Sequence, residues 1–134
     1  MTGCSTVMVT IDGLRLESLN RPMFGASRGA VFARARRVRE LRQSVRSHVL
    51  PHVGTGELRA IEITRISPRR LDDDNLVGAC KPVLDGIADA WEVNDRTFVI
   101  VGDREGVRVT ARQDSYGPKR VGLIVRLLLE DRCL

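Results

Sequence analysis

Lysine is nearly absent from this chain of 134 residues. Of its 22 cationic side chains only Lys81 and Lys119 are lysine; the other twenty are arginine. Cysteine is scarce as well. Cys4, Cys80 and Cys133 are odd in number, and no two have the spacing of a metal-ligand pair. A disulfide framework is excluded, and free thiols in a reducing compartment make the cytoplasm the expected location. No apolar run approaches the roughly 20 residues of a membrane span. The first five residues lack the basic start and apolar stretch of a signal peptide. Internal repeats, low-complexity stretches and linkers are missing too. His48 and His52 stand four apart, but Pro51 lies between them and ends a helix there, so they read as surface histidines.

What is present is enough for one core. Apolar residues make up 43% of the chain and charged residues 29%, the balance of an ordinary globular protein. Residues 1–134 are read as a single domain. The formal net charge is +5. Arginine forms planar, bidentate bonds with phosphate, so an arginine-dominated basic domain fits an anionic polymer as partner. A genome rich in G and C would inflate arginine equally, and composition does not separate the two.

Hydrophobic periodicity outlines an α+β domain: a mixed sheet with two main helices packed mostly on one face. Thr6–Ile11 alternates as a strand. Ser27 caps a helix running to Val49, with Val31, Ala35, Val38, Leu41, Val45 and Val49 as its apolar stripe. Residues 14–25 read as a loop and Gly54–Gly56 as a turn. Leu58–Ile66 reads as a strand. A second helix spans about Asp74–Trp91, with Leu76, Cys80, Val83, Leu84, Ile87 and Trp91 inward. Pro82 within it predicts a kink, or a regular part beginning near Lys81. Thr97–Val101, Val107–Arg112 and Val121–Leu129 complete the strands.

The segment Arg69-Arg70-Leu71-Asp72-Asp73-Asp74-Asn75-Leu76 stands apart. Three adjacent carboxylates repel one another unless solvated or neutralised by a cation, and Mg²⁺ favours carboxylate oxygens. On an extended segment Asp72 and Asp74 point to one side and could share a metal, with Asp73 turned away. Alternatively Asp73 or Asp74 is simply a helix N-cap on a solvated turn. On a continuous helix Asp74, Lys81 and Asp85 share a polar face. Lys81 and Asp85 there are either an ordinary i,i+4 pair or a lysine aimed at a phosphate. The first helix carries seven arginines against Glu40 alone. They are spread around its wheel, and Arg42 falls within the apolar face, to snorkel or to meet a partner.

The run Leu71-Asp72-Asp73-Asp74-Asn75-Leu76, followed by Lys81-Pro82-Val83-Leu84-Asp85 and by Asn94-Asp95-Arg96, resembles the RusA family of crossover (Holliday) junction endodeoxyribonucleases, its phage-type members in particular. The resemblance covers residues 69–99. It implies a RusA-like fold, with Asp72, Asp74 and Asp95 as catalytic, metal-holding carboxylates and Asn75 as their neighbouring Asn. It also implies Lys81 as the functional lysine, provided three residues are inserted around Gly78-Ala79-Cys80; directly aligned, that position is Gly78. Asn94 stands where many members carry an Asp, and Asp73 replaces a usual apolar residue.

The activity implied is Mg²⁺-dependent (or Mn²⁺-dependent) phosphodiester hydrolysis that resolves four-way DNA junctions by paired nicks in recombination and repair. The acting unit is a homodimer whose two sites meet opposed strands. Arg69 and Arg70, beside the acidic run, and Lys119 and Arg120, on a later turn, are the expected DNA contacts. Other readings are a non-catalytic branched-DNA-binding protein of the same fold, and a nuclease for other branched DNA. A continuous helix from Asp74 to Ala90 would be about 25 Å long and would carry Asp95 away from Asp74. Either the helix starts late, near Lys81, and the chain doubles back, or a partner's Asp95 meets Asp74; the second is favoured here because it explains the dimer.

Overall fold

Strand alternation and two helical periods, the second of them broken, build a five-stranded mixed sheet with helices on one face. The computed structural model describes residues 3–17, 25–100, 102 and 104–131. The elements are β1 (Cys4–Asp12), α1 (Arg28–Val49), β2 (Glu57–Ile66), α2 (Asp73–Ala79), α3 (Lys81–Trp91), β3 (Phe98–Val99), β4 (Val107–Asp114) and β5 (Gly122–Glu130), with short 3₁₀ turns at Leu50–His52 and Asp95–Thr97. The strand order is β1-β5-β2-β4-β3. β5 runs antiparallel to β1 and β2, and β2, β4 and β3 run parallel. The α+β class, the mixed sheet and the two main helical regions are therefore as expected. The Asn20-Arg21-Pro22 part of the predicted loop, Val101 and Cys133 lie outside the described residues.

One face of the sheet carries the core. Val9 and Ile11 of β1, Ile61 and Ile63 of β2, and Leu123, Val125, Leu127 and Leu129 of β5 pack with Leu41, Val45 and Val49 of α1 and Val83, Leu84 and Ile87 of α3. The alternate residues Met8, Thr10, Thr110 and Arg126 are exposed on the other face.

Ser27 caps α1 as expected, its Oγ accepting from the Ala30 amide at 3.1 Å. The predicted stripe is only half buried, however: Val31 is 44% exposed, and Ala35 is exposed as well. The core begins at Leu41, because α3 covers only the second half of α1. The two helices approach closely at Gly86, where a Cβ would lie 2.5 Å from the Arg42 carbonyl oxygen. Any side chain there would have to push α1 away.

The predicted second helix is two helices. α2 ends at Cys80, and α3 begins at Lys81 with Pro82 in its first turn, where a missing N–H costs nothing. The continuous wheel that placed Asp74 beside Lys81 is thus broken at Cys80. At the far end Glu92 adopts a left-handed conformation (φ 55°). Its amide and that of Val93 return to the last turn of the helix, and the chain reverses. A non-glycine residue pays about 1–2 kcal/mol for that conformation.

Candidate functional site

The register of the sheet gathers most of the predicted site residues at one end. Ile66 at the end of β2 is paired with Asp114 at the end of β4 and with Gly122 at the start of β5. Arg69, Arg70 and the acidic run follow Ile66 directly, and Lys119 and Arg120 directly precede β5. The carboxyl ends of parallel strands are where open sheets of α/β type place ligands, because the helix that follows begins there. All seven of these side chains belong to exposed residues.

Two inward-facing polar side chains fix the approach to the acidic run. The Leu71 amide donates to Gln113 Oε1 at 3.0 Å, and Gln113 Nε2 donates to the Leu71 carbonyl at 2.7 Å. Gln113 thereby grips the residue just before Asp72 as a neighbouring strand would. Arg65, 6% exposed, donates from Nε to the Leu16 carbonyl at 3.0 Å and from Nη1 to the Arg69 carbonyl at 2.6 Å. Burial pulls its guanidinium below the ordinary value, and the charge of Arg15 adds to this. The sequence reading missed both residues. Their signal was a polar residue at the inward position of each strand, after Ile61 and Ile63 in β2 and after Val109 and Ala111 in β4.

The acidic run itself is a helix start, not an extended ribbon. Asp72 is the N-cap, with Oδ1 accepting from the Asn75 amide at 2.9 Å. Asp73 and Asp74 occupy the first turn of α2. The alternation that would set Asp73 apart from Asp72 and Asp74 therefore does not hold. The capping residue is Asp72, where the sequence pointed to Asp73 or Asp74.

Lys81 and Asp95 meet within one chain. Lys81 Nζ lies 3.6 Å from Asp95 Oδ2 and 3.8 Å from Asp85 Oδ1. The late helix start and the left-handed Glu92 make this possible: the shortened α3 is about 16 Å long, and the reversed chain brings Asp95 back beside it. The chain does double back, but it brings Asp95 to Lys81 and not to Asp74. Asn94 caps the turn that carries Asp95, accepting from the Arg96 amide at 2.9 Å. Arg42, which looked misplaced on an apolar face, makes a two-pronged bond to Asp89 of α3, at 2.6 and 2.8 Å. That bond holds the Asp89 carboxyl below its usual range. It also raises Arg42, with Asp85 and Asp95 contributing. Arg42, Lys81, Asp85, Asp89, Asn94 and Asp95 thus line one shallow polar depression.

Asp72, Asp74 and Asp95 are not gathered into one ligand set. Among the described residues no three His, Cys, Asp or Glu side chains are arranged to hold a metal ion. Asp72 is engaged at the helix start and Asp95 with Lys81, with α2 between them. The donor chemistry still fits Mg²⁺, which typically takes one or two carboxylates plus substrate phosphate rather than a complete protein cage. Asp72 and Asp74 offer hard oxygens of that kind in the open. Cys80 is not a candidate nucleophile: burial pushes its thiol up to about 12.

Of the expected DNA contacts, Arg120 lies 3.9 Å from Asp12, with its guanidinium 5.3 Å from the centre of the Tyr116 ring. Arg69 and Arg70 line a small hollow with Ser67 and Gln113. No helix among the described residues is long and apolar enough to cross a membrane.

No family model matches the chain, and no curated protein matches it in sequence. Solved structures with some likeness include the bifunctional IspDF from Campylobacter jejuni (TM-score 0.41, 10% identity), which matches 98% of this chain and 42% of its own length. The IspF of Plasmodium falciparum in complex with CDP (TM-score 0.38, 10% identity) matches over 98% of this chain and 96% of its own. The 2C-methyl-D-erythritol 2,4-cyclodiphosphate synthase of Plasmodium vivax (TM-score 0.36, 10% identity) matches over 99% and 98%. The chain spans less than half of the bifunctional protein, and likenesses this weak assign neither family nor function.

Proposed function

We propose that this protein is a divalent-metal-dependent endodeoxyribonuclease of RusA type that cuts four-way DNA junctions as a homodimer. One observation carries the reading: the acidic run and four cationic side chains, predicted from sequence to act together, emerge from the same end of the sheet. The 3.6 Å approach of Lys81 to Asp95 adds support, since it joins two more residues of the same motif. Asp72 and Asp74 would hold Mg²⁺ or Mn²⁺, which when bound activates a water and offsets the charge of the phosphoryl group under attack.

The chain's own groups do the rest. Arg69 and Arg70 grip the backbone phosphates beside the scissile one, and Lys119 and Arg120 hold a neighbouring stretch. Lys81, whose ammonium is exposed, places a positive charge for the phosphoryl oxygens. Asp85 and Asp95 keep that ammonium close to the helix. Gln113 and Arg65 fix the backbone that carries the carboxylates, so their positions are set before DNA arrives.

The use of Asp72 as a helix cap and the absence of a three-carboxylate group among the described residues favour one other reading, a branched-DNA-binding protein of the same fold that does not cut. Incubating a labelled branched substrate with the protein and Mg²⁺, with a chelator in the control, separates them. Chelator-sensitive nicking is expected. Tight binding with intact strands at every Mg²⁺ and Mn²⁺ concentration would establish the non-catalytic reading.

A further inference from the structure

A concavity lies at the other end of the sheet, where β2, β4 and β3 begin. It is a cleft of about 810 Å³, within the usual range for a small-molecule or nucleotide site. Trp91, Phe98 and Val93 supply its apolar wall, and Arg59, Arg104 and Arg108 its cations. Trp91 is the one tryptophan of the chain and is half-buried, at the end of α3. Val93 borders both this cleft and the Lys81–Asp95 depression, so the two are neighbours.

The arginines are not equivalent. Arg59 sits at a β-bulge and is neutralised by Glu57 at 3.2 Å and Glu130 at 2.5 Å. Arg104 donates to the carbonyls of Arg96 and Phe98, at 2.6 and 3.4 Å, and Arg108 donates to that of Gly102. Main-chain oxygens orient a guanidinium without cancelling its charge. Each guanidinium has five N–H donors, so most remain for a ligand. Neither arginine forms an ion pair with a described residue. Glu105 and Glu57, the latter paired with Arg59, are the carboxylates among the described residues that line the cleft.

An aromatic ring and two oriented guanidiniums, neither in an ion pair with a described residue, line one cleft and suit a planar base joined to phosphate. We infer that this cleft binds an unpaired nucleotide segment of single-stranded DNA, the base against Trp91 and the flanking phosphates on Arg104 and Arg108. The class of ligand comes from the cleft's own chemistry; that the strand is DNA rests on the proposed function. Base–aromatic stacking of this kind is sequence-tolerant, and branched DNA supplies unpaired bases where its arms meet.

The single tryptophan makes the test direct. A short oligothymidylate is titrated into the Asp72→Asn protein in chelator, so that no cleavage intervenes, and tryptophan fluorescence is followed. Saturable quenching is expected, weaker as salt rises and weaker still with a perfectly paired duplex. Combining Arg104→Ala with Arg108→Ala should reduce affinity at least tenfold with the circular dichroism spectrum unchanged. Trp91→Ala, read by anisotropy of a labelled oligonucleotide, should reduce it about 5- to 150-fold. Unchanged fluorescence at oligonucleotide concentrations that saturate anisotropy would overturn the inference, as would quenching indifferent to both arginines. Junction cleavage with silent tryptophan refutes the cleft alone. Quenching without any cleavage supports the cleft and refutes the nuclease.

Discussion

Asp72 has two roles that substitution can separate, because Asn and Asp are equally good N-caps while only Asp carries charge. Asp72→Asn retains an oxygen for the Asn75 amide, now 2.9 Å from Oδ1. It loses a favourable charge at the helix N-terminus, about 0.3–1 kcal/mol, but removes repulsion from Asp73 and Asp74 of similar size. The net change should be within about 0.5 kcal/mol. Asp72→Ala loses the cap outright, about 1 kcal/mol with a range of 0.5–2. For 134 residues the entropy of unfolding is about 280 cal/mol/K, so each kcal/mol moves Tm by about 3.5 °C. Thermal melts should therefore show Asp72→Asn within about 2 °C of the parent and Asp72→Ala lower by about 2–7 °C. Both variants should lose junction cleavage, and both should bind junction as tightly as the parent or more so. Cleavage by Asp72→Asn near the parental rate would reduce Asp72 to a cap. Equal melting of the two variants would refute the cap.

Gln113→Ala removes both bonds to Leu71, at about 0.5–1.5 kcal/mol each. Stability should fall by about 1–3 kcal/mol, and the Mg²⁺ concentration needed for half-maximal cleavage should rise; an unchanged requirement would make Gln113 purely structural. The Arg42–Asp89 bond lowers the Asp89 carboxyl, so its stabilisation is present above the ordinary carboxylate value of about 3.9 and is lost as pH falls through the lower folded value. Both side chains are partly exposed, so a double-mutant cycle at neutral pH should read no more than about 1 kcal/mol, and Asp89→Asn should flatten the acid limb of the stability curve. Junction affinity should fall steeply with salt, and Arg69→Ala with Arg70→Ala should flatten the slope of log K against log salt by about one to two units. An unchanged slope would make those arginines ordinary solvated side chains.

The elements were legible where pattern and punctuation agreed. Ser27 before the α1 period, and the alternation in β2, β4 and β5, placed those elements within a residue or two of where they lie. Pro82 signalled that the second helix could not run unbroken, and it does not. Less was visible where tertiary contact decides. Nothing in the α1 stripe itself distinguishes Leu41, which α3 covers, from Val31, which it does not. β3 has two residues where five were expected, since among the described residues only Phe98 and Val99 pair with β4.

At the site, the acidic run and Lys81 stood out by residue type alone. Their supports did not, since Gln113 and Arg65 act on residues 42 and 4 positions away through main-chain atoms. The meeting of Asp95 with Lys81 was not anticipated, because the left-handed turn at Glu92 that reverses the chain has no glycine to announce it.

The central claim is that the acidic end of the sheet cuts branched DNA. A synthetic four-way junction, labelled in turn on each of its four strands and incubated with the protein and Mg²⁺, tests it most directly. Paired nicks in two opposed strands of like polarity are expected, with a linear duplex of the same sequence left whole. Strands intact throughout, or a linear duplex cut as fast as the junction, would contradict it.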